Sequence, residues 1–131
     1  MSIGDSASAI GKVEGTGSAR HGGAHWLEDK VLSAALVLLG SWFIASLLLL
    51  PGLDQKTILT WLRAPYGAVP MALLVFACFR HALEGMKVVV DDYVDDGGSR
   101  FALNTFMLFL AIGGGGLALF ALAKIALGAQ G

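Results

Sequence analysis

The stretch Val31–Leu50, VLSAALVLLGSWFIASLLLL, decides the fold. It runs for about 20 residues without a charged side chain, which is enough to cross a hydrocarbon layer of about 30 Å as an α-helix. Pro51-Gly52 ends the run. The whole chain is 56% hydrophobic and only 15% charged, with a mean hydropathy of +0.71, whereas a soluble domain has about 25% charged residues. The sequence therefore predicts an integral membrane protein.

Two further apolar runs follow, and the expected transmembrane helices cover about 28–50, 67–91 and 101–127. The predicted fold class is all-α, an integral membrane bundle of three transmembrane helices. Residues 1–24 are rich in Gly, Ser and Ala and lack the apolar core of a secretory signal. We expect them to form a flexible N-terminal segment, followed by a membrane anchor domain over residues 25–131.

Three local features refine this bundle. Asp54 is predicted to cap a short amphipathic segment between the first two helices, with its apolar side on the membrane surface. Ser99 or Asn104 is the expected N-cap of the third helix. Small residues in the apolar runs are expected to let helices approach closely: Gly40, Ala111 and Gly115.

The stretch Phe79–Tyr93, FRHALEGMKVVVDDY, carries the candidate chemistry. His81, Gly85, Val88 and Asp92 have i, i+4, i+7, i+11 spacing and share one face of a helix. A rise of 1.5 Å per residue separates His81 from Asp92 by about 16 Å along the axis. The pattern thus predicts an imidazole within the apolar layer and an Asp-Tyr pair at its edge. On the adjacent face, Glu84 can pair with Arg80 or Lys87.

Charge and cysteine content exclude several function classes. The net charge of −1 gives no reason to expect a nucleic-acid partner. The single cysteine, Cys78, cannot form an internal disulfide or build an iron–sulfur or zinc site alone. Flavin and dinucleotide motifs are absent from the sequence, so the chain can contribute to a redox site without performing a dehydrogenation by itself.

The distribution of Lys and Arg predicts the orientation of the chain in the bilayer. Three spans put the termini on opposite sides, and the side carrying the N-terminus has more of these residues than the other. The N-terminal side has Lys12, Arg20, Lys30, Lys87 and Arg100, against Lys56, Arg63 and Lys124 on the other. We therefore expect a cytoplasmic N-terminus, with the Asp-Tyr turn on the cytoplasmic side.

The sequence resembles the hydrophobic membrane anchor of succinate dehydrogenase, respiratory complex II. The family pattern is a histidine, a glycine four residues later, and Asp-Tyr eleven and twelve residues after the histidine, here His81, Gly85, Asp92 and Tyr93. A second match is a Gly-Ser/Ala-rich lead followed by His25-Trp26, with Lys30 at a position where arginine is more usual. The resemblance covers roughly residues 17–127.

The resemblance implies half of a complex II anchor that co-ligates heme b and helps form a ubiquinone-reduction site. It implies that His81 is an axial ligand of the heme iron and that His25 lies near a heme propionate. It also implies that Tyr93 hydrogen-bonds ubiquinone and that Asp92 supports that site. Implied partners are the flavoprotein subunit, the iron–sulfur subunit, the cytochrome b556 subunit and the lipid bilayer. The implied location is the bacterial inner membrane rather than the mitochondrial inner membrane.

Two alternatives remain open at this point. The chain could be a non-catalytic three-helix membrane assembly or anchoring protein, in which His81 is structural and Asp92-Tyr93 only ends a helix. It could also be the equivalent anchor of a quinol:fumarate reductase, because the sequence does not set the direction of the reaction.

Overall fold

The computed structural model describes residues 19–128, with side chains from residue 26 onward. The described residues fold into four α-helices and no strand, so the all-α prediction is confirmed. The helices are α1, Ala19–Leu49; α2, Gln55–Arg63; α3, Pro65–Tyr93; and α4, Gly97–Ala126.

Two segments are long and apolar enough to cross a membrane by themselves, Trp26–Leu49 and Gly97–Ala126. Helices α2 and α3 meet this criterion together, although their axes differ in direction by 89°. The described residues thus hold two candidate spans, or three if α2 and α3 are counted as one. The lower hydropathy of α3 reflects its charges, which lie among apolar residues on the same helix.

Helix boundaries differ from the predicted ones mainly at the starts. Helix α1 is helical from Ala19, before the expected start near 28, and α3 begins at Pro65 rather than 67. Helix α4 begins at Gly97 rather than 101, because its N-cap is Asp96. The expectation that Ser99 or Asn104 caps this helix was therefore wrong. The flexibility of residues 1–24 stays a prediction, since 1–18 lie outside the described residues.

The bend between α2 and α3 has a local cause. Ala64 is the C-cap of α2 and the N-cap of α3, with extended backbone angles of φ −78° and ψ 141°. A residue that precedes proline avoids the α region, and Pro65 occupies the first turn of α3, where no N–H is needed. The Ala64-Pro65 pair therefore ends one helix and starts the next in a new direction.

Helix α2 is capped as predicted. The Asp54 carboxylate accepts the Thr57 hydroxyl at 2.7 Å and the Thr57 backbone N–H at 3.1 Å. These bonds, the hydroxyl first, hold the pKa of Asp54 below its usual value. The apolar side of α2 includes the buried Trp61, whereas Lys56 and Arg63 are exposed. At least part of that apolar side therefore packs within the protein rather than on the membrane surface.

Trp61 joins three helices. Its ring stacks on Trp42 of α1, with centroids 5.6 Å apart, and lies 6.4 Å from the Phe43 ring. On α3, a Cβ at Gly67 would lie 2.1 Å from the Trp61 carbonyl oxygen, so only glycine fits there. The close approach at Gly67 lets α2 fold back against the start of α3.

Helices α3 and α4 form the main packed pair. Helix α3 buries Ala77, Leu83 and Val90, α4 buries Gly115, and Leu83 and Gly115 both line the groove between the two helices. The Phe79 ring lies over the glycine run of α4, where a Cβ at Gly115 would be 3.3 Å from the ring. The expectation that small residues allow close contact is thus confirmed at Gly115, whereas Gly40 has nothing within 4 Å of its Cβ position among the described residues.

The contacts divide the chain into a unit ending at Val31 and a second unit beginning at Leu32. The described part of the first unit is the start of α1, where the Lys30 ammonium lies 5.7 Å from the centre of the Trp26 ring. The second unit contains α2, α3, α4 and the remainder of α1, with the packing described above.

Candidate cofactor face and edge site on helix α3

The four residues that the sequence placed on one face of α3 lie along one exposed line of this helix. We call His81, Gly85, Val88 and Asp92 the open stripe, because all four are exposed. Leu83, which is buried, lies on a different side of α3. The shared exposure of the open stripe means that, in this chain alone, nothing covers a line of about three helical turns.

The open stripe fits a flat, iron-containing macrocycle in two respects. The imidazole of His81 makes no hydrogen bond or ion pair with the described residues, so its nitrogens remain available as donors to a metal. One turn further, Gly85 has no side chain, and nothing lies within 4 Å of its Cβ position. A planar group could therefore approach the helix backbone beside the histidine.

A second line of residues lies one position earlier in the sequence. Arg80, Glu84, Lys87 and Asp91 form what we call the closed stripe, because they are engaged by groups of this chain. The Glu84 carboxylate forms ion pairs with Arg80 and with Lys87, the latter at 3.1 Å. Both predicted pairings of Glu84 are thereby confirmed. These pairs satisfy ionisable groups that are costly in an apolar layer.

The closed stripe borders a groove of about 460 Å³ between α3 and α4. Its walls are mostly apolar, with Phe79 and Leu83 on one side and Ala111 and Gly115 on the other. Arg80, Glu84 and Lys87 also line this groove, whereas His81, Asp92 and Tyr93 do not. The groove and the open stripe are therefore separate features of α3.

The Asp-Tyr pair lies at the last turn of α3. Tyr93 is 83% exposed, and Asp92 is exposed beside it. Neither side chain has a hydrogen-bonding or ionic partner among the described residues. A phenol can donate one hydrogen bond and an ionised carboxylate can only accept, so the pair offers both kinds of group to a polar ligand.

The turn after Tyr93 is held by side chains of α4. Arg100 donates to the Val94 carbonyl oxygen through Nε at 3.0 Å and through Nη2 at 2.9 Å. The Asn104 amide donates to an Asp91 oxygen at 3.3 Å, and Arg100 Nε lies 3.9 Å from the same carboxylate oxygen. These contacts connect the end of α3 to the first two turns of α4.

Asp96 completes this turn as the N-cap of α4. Its carboxylate accepts the Ser99 backbone N–H at 2.7 Å. That bond, followed by one from the Ser99 hydroxyl, holds the pKa of Asp96 below its usual value. An ionised Asp96 therefore stabilises the helix that carries Arg100 and Asn104.

The predicted residues are only partly brought together. His81 and Asp92 lie on the open stripe, and Tyr93 follows directly at the end of α3. The backbone of His25 belongs to α1, but its side chain lies outside the described side chains, so the propionate contact stays a prediction.

Sequence reasoning missed Asp91, Arg100 and Asn104. The signal for Asp91 was present, because it follows Arg80, Glu84 and Lys87 at the same i, i+4, i+7, i+11 spacing as the open stripe. The contact from α4 could not be read from the sequence, since it depends on the length and shape of the turn at 94–96.

Comparison with known proteins identifies the family of the chain. The family described as succinate dehydrogenase/fumarate reductase transmembrane subunit matches residues 5–124. A succinate dehydrogenase hydrophobic membrane anchor subunit from Paracoccus denitrificans is 33% identical over 117 residues, covering 89% of this chain and 90% of that protein. A protein of the same name from Rickettsia bellii is 34% identical, covering 65% of this chain and 68% of that protein.

No solved structure is significantly similar to the chain. The family match nevertheless covers more than half of the sequence, and the relatives carry the name that the His81–Tyr93 motif suggested. Together with the helices long enough to cross a bilayer, these matches mark an integral membrane protein. The resemblance drawn from the sequence is confirmed, and the chain belongs to the succinate dehydrogenase/fumarate reductase transmembrane subunit family.

Proposed function

We propose that this chain is a membrane anchor of succinate dehydrogenase that co-ligates heme b through His81 and contributes Asp92 and Tyr93 to a ubiquinone-reduction site. The observation that carries the proposal is the open stripe. It places an imidazole without a protein partner, a glycine with open space above it, and an exposed acid on one line of α3. Because these groups are uncovered in the chain alone, we infer that a cofactor and a partner chain cover them in the complex.

Heme, when bound, supplies a one-electron carrier within the membrane. His81 would hold the iron through a neutral imidazole nitrogen, and Gly85 would leave room for the macrocycle beside it. Any further histidine ligand to the iron would come from another chain, since the described part of α1, α3 and α4 offers no other histidine side chain within the apolar layer.

Ubiquinone reduction consumes two electrons and two protons, so its site belongs near water. Tyr93 is suited to donate its phenol hydrogen to a quinone carbonyl oxygen, which polarises that carbonyl. Asp92 is suited to pair with a cation of a partner chain and thereby to orient the region. Both residues lie at the end of α3, beside an exposed and polar turn.

The proposed partners are a flavoprotein subunit, an iron–sulfur subunit and a cytochrome b556 subunit, and electrons would arrive from the iron–sulfur subunit at the Tyr93 end. The proposed setting is a bacterial inner membrane with a cytoplasmic N-terminus. Purification in mild detergent should co-elute these subunits with the chain. Isolation of the chain without any of them would favour the assembly-protein alternative.

Replacing the proposed ligand tests the heme assignment. His81→Ala should abolish or strongly weaken the low-spin heme spectrum of the purified complex, because alanine cannot bind iron. Met86→Ala is a matched control, since Met86 is also exposed on α3 but lies off the open stripe. An unchanged spectrum in His81→Ala, with normal assembly, would refute the ligand role.

The two tyrosines of the chain give a matched test of the quinone site. Tyr93→Phe should slow quinone reduction by up to roughly 10²- to 10³-fold, the range for loss of one donor to a developing oxyanion, while succinate oxidation by a soluble acceptor is retained. Tyr66→Phe removes a hydroxyl at the other end of α3, where Tyr66 is also exposed, and should leave both activities intact. Equal loss of both activities in Tyr93→Phe would indicate an assembly defect instead.

A further inference from the structure

We propose that Arg100 is a positioning residue for the quinone site and that it acts together with Asp91 and Asn104 by fixing the end of α3. The inference rests on the proposed function of Tyr93 and adds three residues to it. It concerns groups that do not reach the quinone themselves. They fix the backbone at the end of α3 and thereby set the position and orientation of the Tyr93 phenol.

The first step of the argument is the position of the Arg100 contact. Val94 is the C-cap of α3 and directly follows Tyr93. Its carbonyl oxygen receives two hydrogen bonds from one guanidinium group, at 3.0 and 2.9 Å. A carbonyl at a helix C-terminus has no donor within the helix, and the two N–H groups of Arg100 supply the missing donors.

The second step is the link one turn before Val94. Asp91 accepts a hydrogen bond from Asn104 at 3.3 Å and lies 3.9 Å from Arg100. Arg100 and Asn104 are one turn apart on α4, so they hold α3 on both sides of the Asp92-Tyr93 pair. The pair is therefore bracketed by Asp91 on one side and Val94 on the other.

The third step is that Tyr93 has no other restraint of this kind. Its side chain is 83% exposed and has no hydrogen-bonding partner among the described residues. Its location is consequently set by the backbone at the end of α3, where helices normally fray. A donor that must meet a quinone carbonyl within hydrogen-bond distance depends on such a backbone being fixed.

The test uses the assembled complex and three arginine variants. Arg100→Ala should raise the KM for a short-chain ubiquinone roughly three- to tenfold, which lies in the lower part of the range for coupled contacts. The heme spectrum and succinate oxidation by a soluble acceptor should not change. Arg100→Lys keeps the charge but loses the pair of guanidinium N–H donors, so the KM of this variant should be intermediate. Arg63→Ala, an exposed arginine at the end of α2, is the control and should behave as the wild type.

A double-mutant cycle separates positioning from general stabilisation. If Arg100 acts through Tyr93, then Arg100→Ala should have little further effect in a Tyr93→Phe background. Additive effects would overturn the inference, as would an unchanged KM in Arg100→Ala. Should Arg100→Ala fail to assemble, Asn104→Ala takes its place in the cycle, because it removes the hydrogen bond to Asp91 and leaves the Arg100 bonds to Val94 in place.

The same data distinguish this inference from the proposed function. If Tyr93→Phe alone leaves quinone kinetics unchanged, then the proposed site fails and the positioning role falls with it. If Tyr93→Phe slows quinone reduction while the Arg100 and Asn104 variants match the wild type, then only the positioning role fails.

Discussion

Helix α3 carries two stripes that are offset by a single residue and differ in what their polar groups contact. In the closed stripe, Glu84 pairs with Arg80 and Lys87, and Asp91 is held by α4. In the open stripe, His81 and Asp92 are exposed and have no such partner among the described residues. The spacing of the two stripes is the same, so spacing alone does not separate them.

The difference lies in where each stripe points relative to α4. Ionisable groups within a membrane must be satisfied by the chain itself, by another chain or by a ligand. The polar groups of the closed stripe find partners within the chain, whereas those of the open stripe need partners from another chain or a ligand. Contact partners, rather than residue type or spacing, therefore distinguish the two stripes.

The largest effect on stability should come from Gly67, which is buried against α2 at the start of α3. In Gly67→Ala, the new Cβ would meet the Trp61 carbonyl oxygen at 2.1 Å, and a backbone group cannot move aside cheaply. We expect a loss of about 1–3 kcal/mol, as for other overpacked sites. Thermal unfolding of the full chain in detergent would measure it.

Gly85→Ala is the matched change on the open stripe. Nothing lies within 4 Å of its Cβ position, and alanine is a better helix former than glycine by about 1 kcal/mol. The chain alone should therefore gain stability, while heme content of the complex should fall if the macrocycle uses this space. Equal destabilisation by both alanines would contradict the difference between a packed Gly67 and an uncovered Gly85.

A smaller effect is expected from removing the charge that the closed stripe shares. Glu84→Gln removes the charge but keeps an oxygen that accepts hydrogen bonds from Arg80 and Lys87, so it should lower the unfolding free energy by about 0.5–1.5 kcal/mol. Asp92→Asn, on the open stripe, should change stability by less than about 0.5 kcal/mol. If both changes lowered the unfolding free energy by similar amounts in the same detergent, then Asp92 would contribute to folding stability despite its exposure.

The sequence was sufficient for the parts of the fold that depend on local chemistry. Long uncharged runs predicted the apolar helices, and the Asp54 cap followed from its place before an amphipathic segment. The pairing of Glu84 followed from i, i+3 and i+4 spacing. Each of these features involves residues that are close along the chain, so a period or a cap position determines them.

Features that join distant residues could not be predicted in the same way. The contact of Trp61 with the start of α3 depends on the 89° bend at Ala64-Pro65. The contact of Arg100 with the Val94 carbonyl depends on the turn after Tyr93. Of the three proposed packing positions, Gly115 meets Phe79 and Gly40 meets nothing among the described residues. A small residue permits close contact, but the partner helix decides whether contact occurs.

The smallest predicted effect concerns pH at the turn where the two stripes end. Hydrogen bonds from Ser99 lower the folded pKa of Asp96 below its reference value of 3.8, so its contribution to stability is present above that pH. It should be lost as the pH falls through the folded pKa. Asp96→Asn keeps a capping oxygen without a titrating group. Its unfolding midpoint should therefore fall less than that of the wild type below about pH 4, and identical pH profiles would show that the ionisation of Asp96 does not stabilise the helix carrying Arg100.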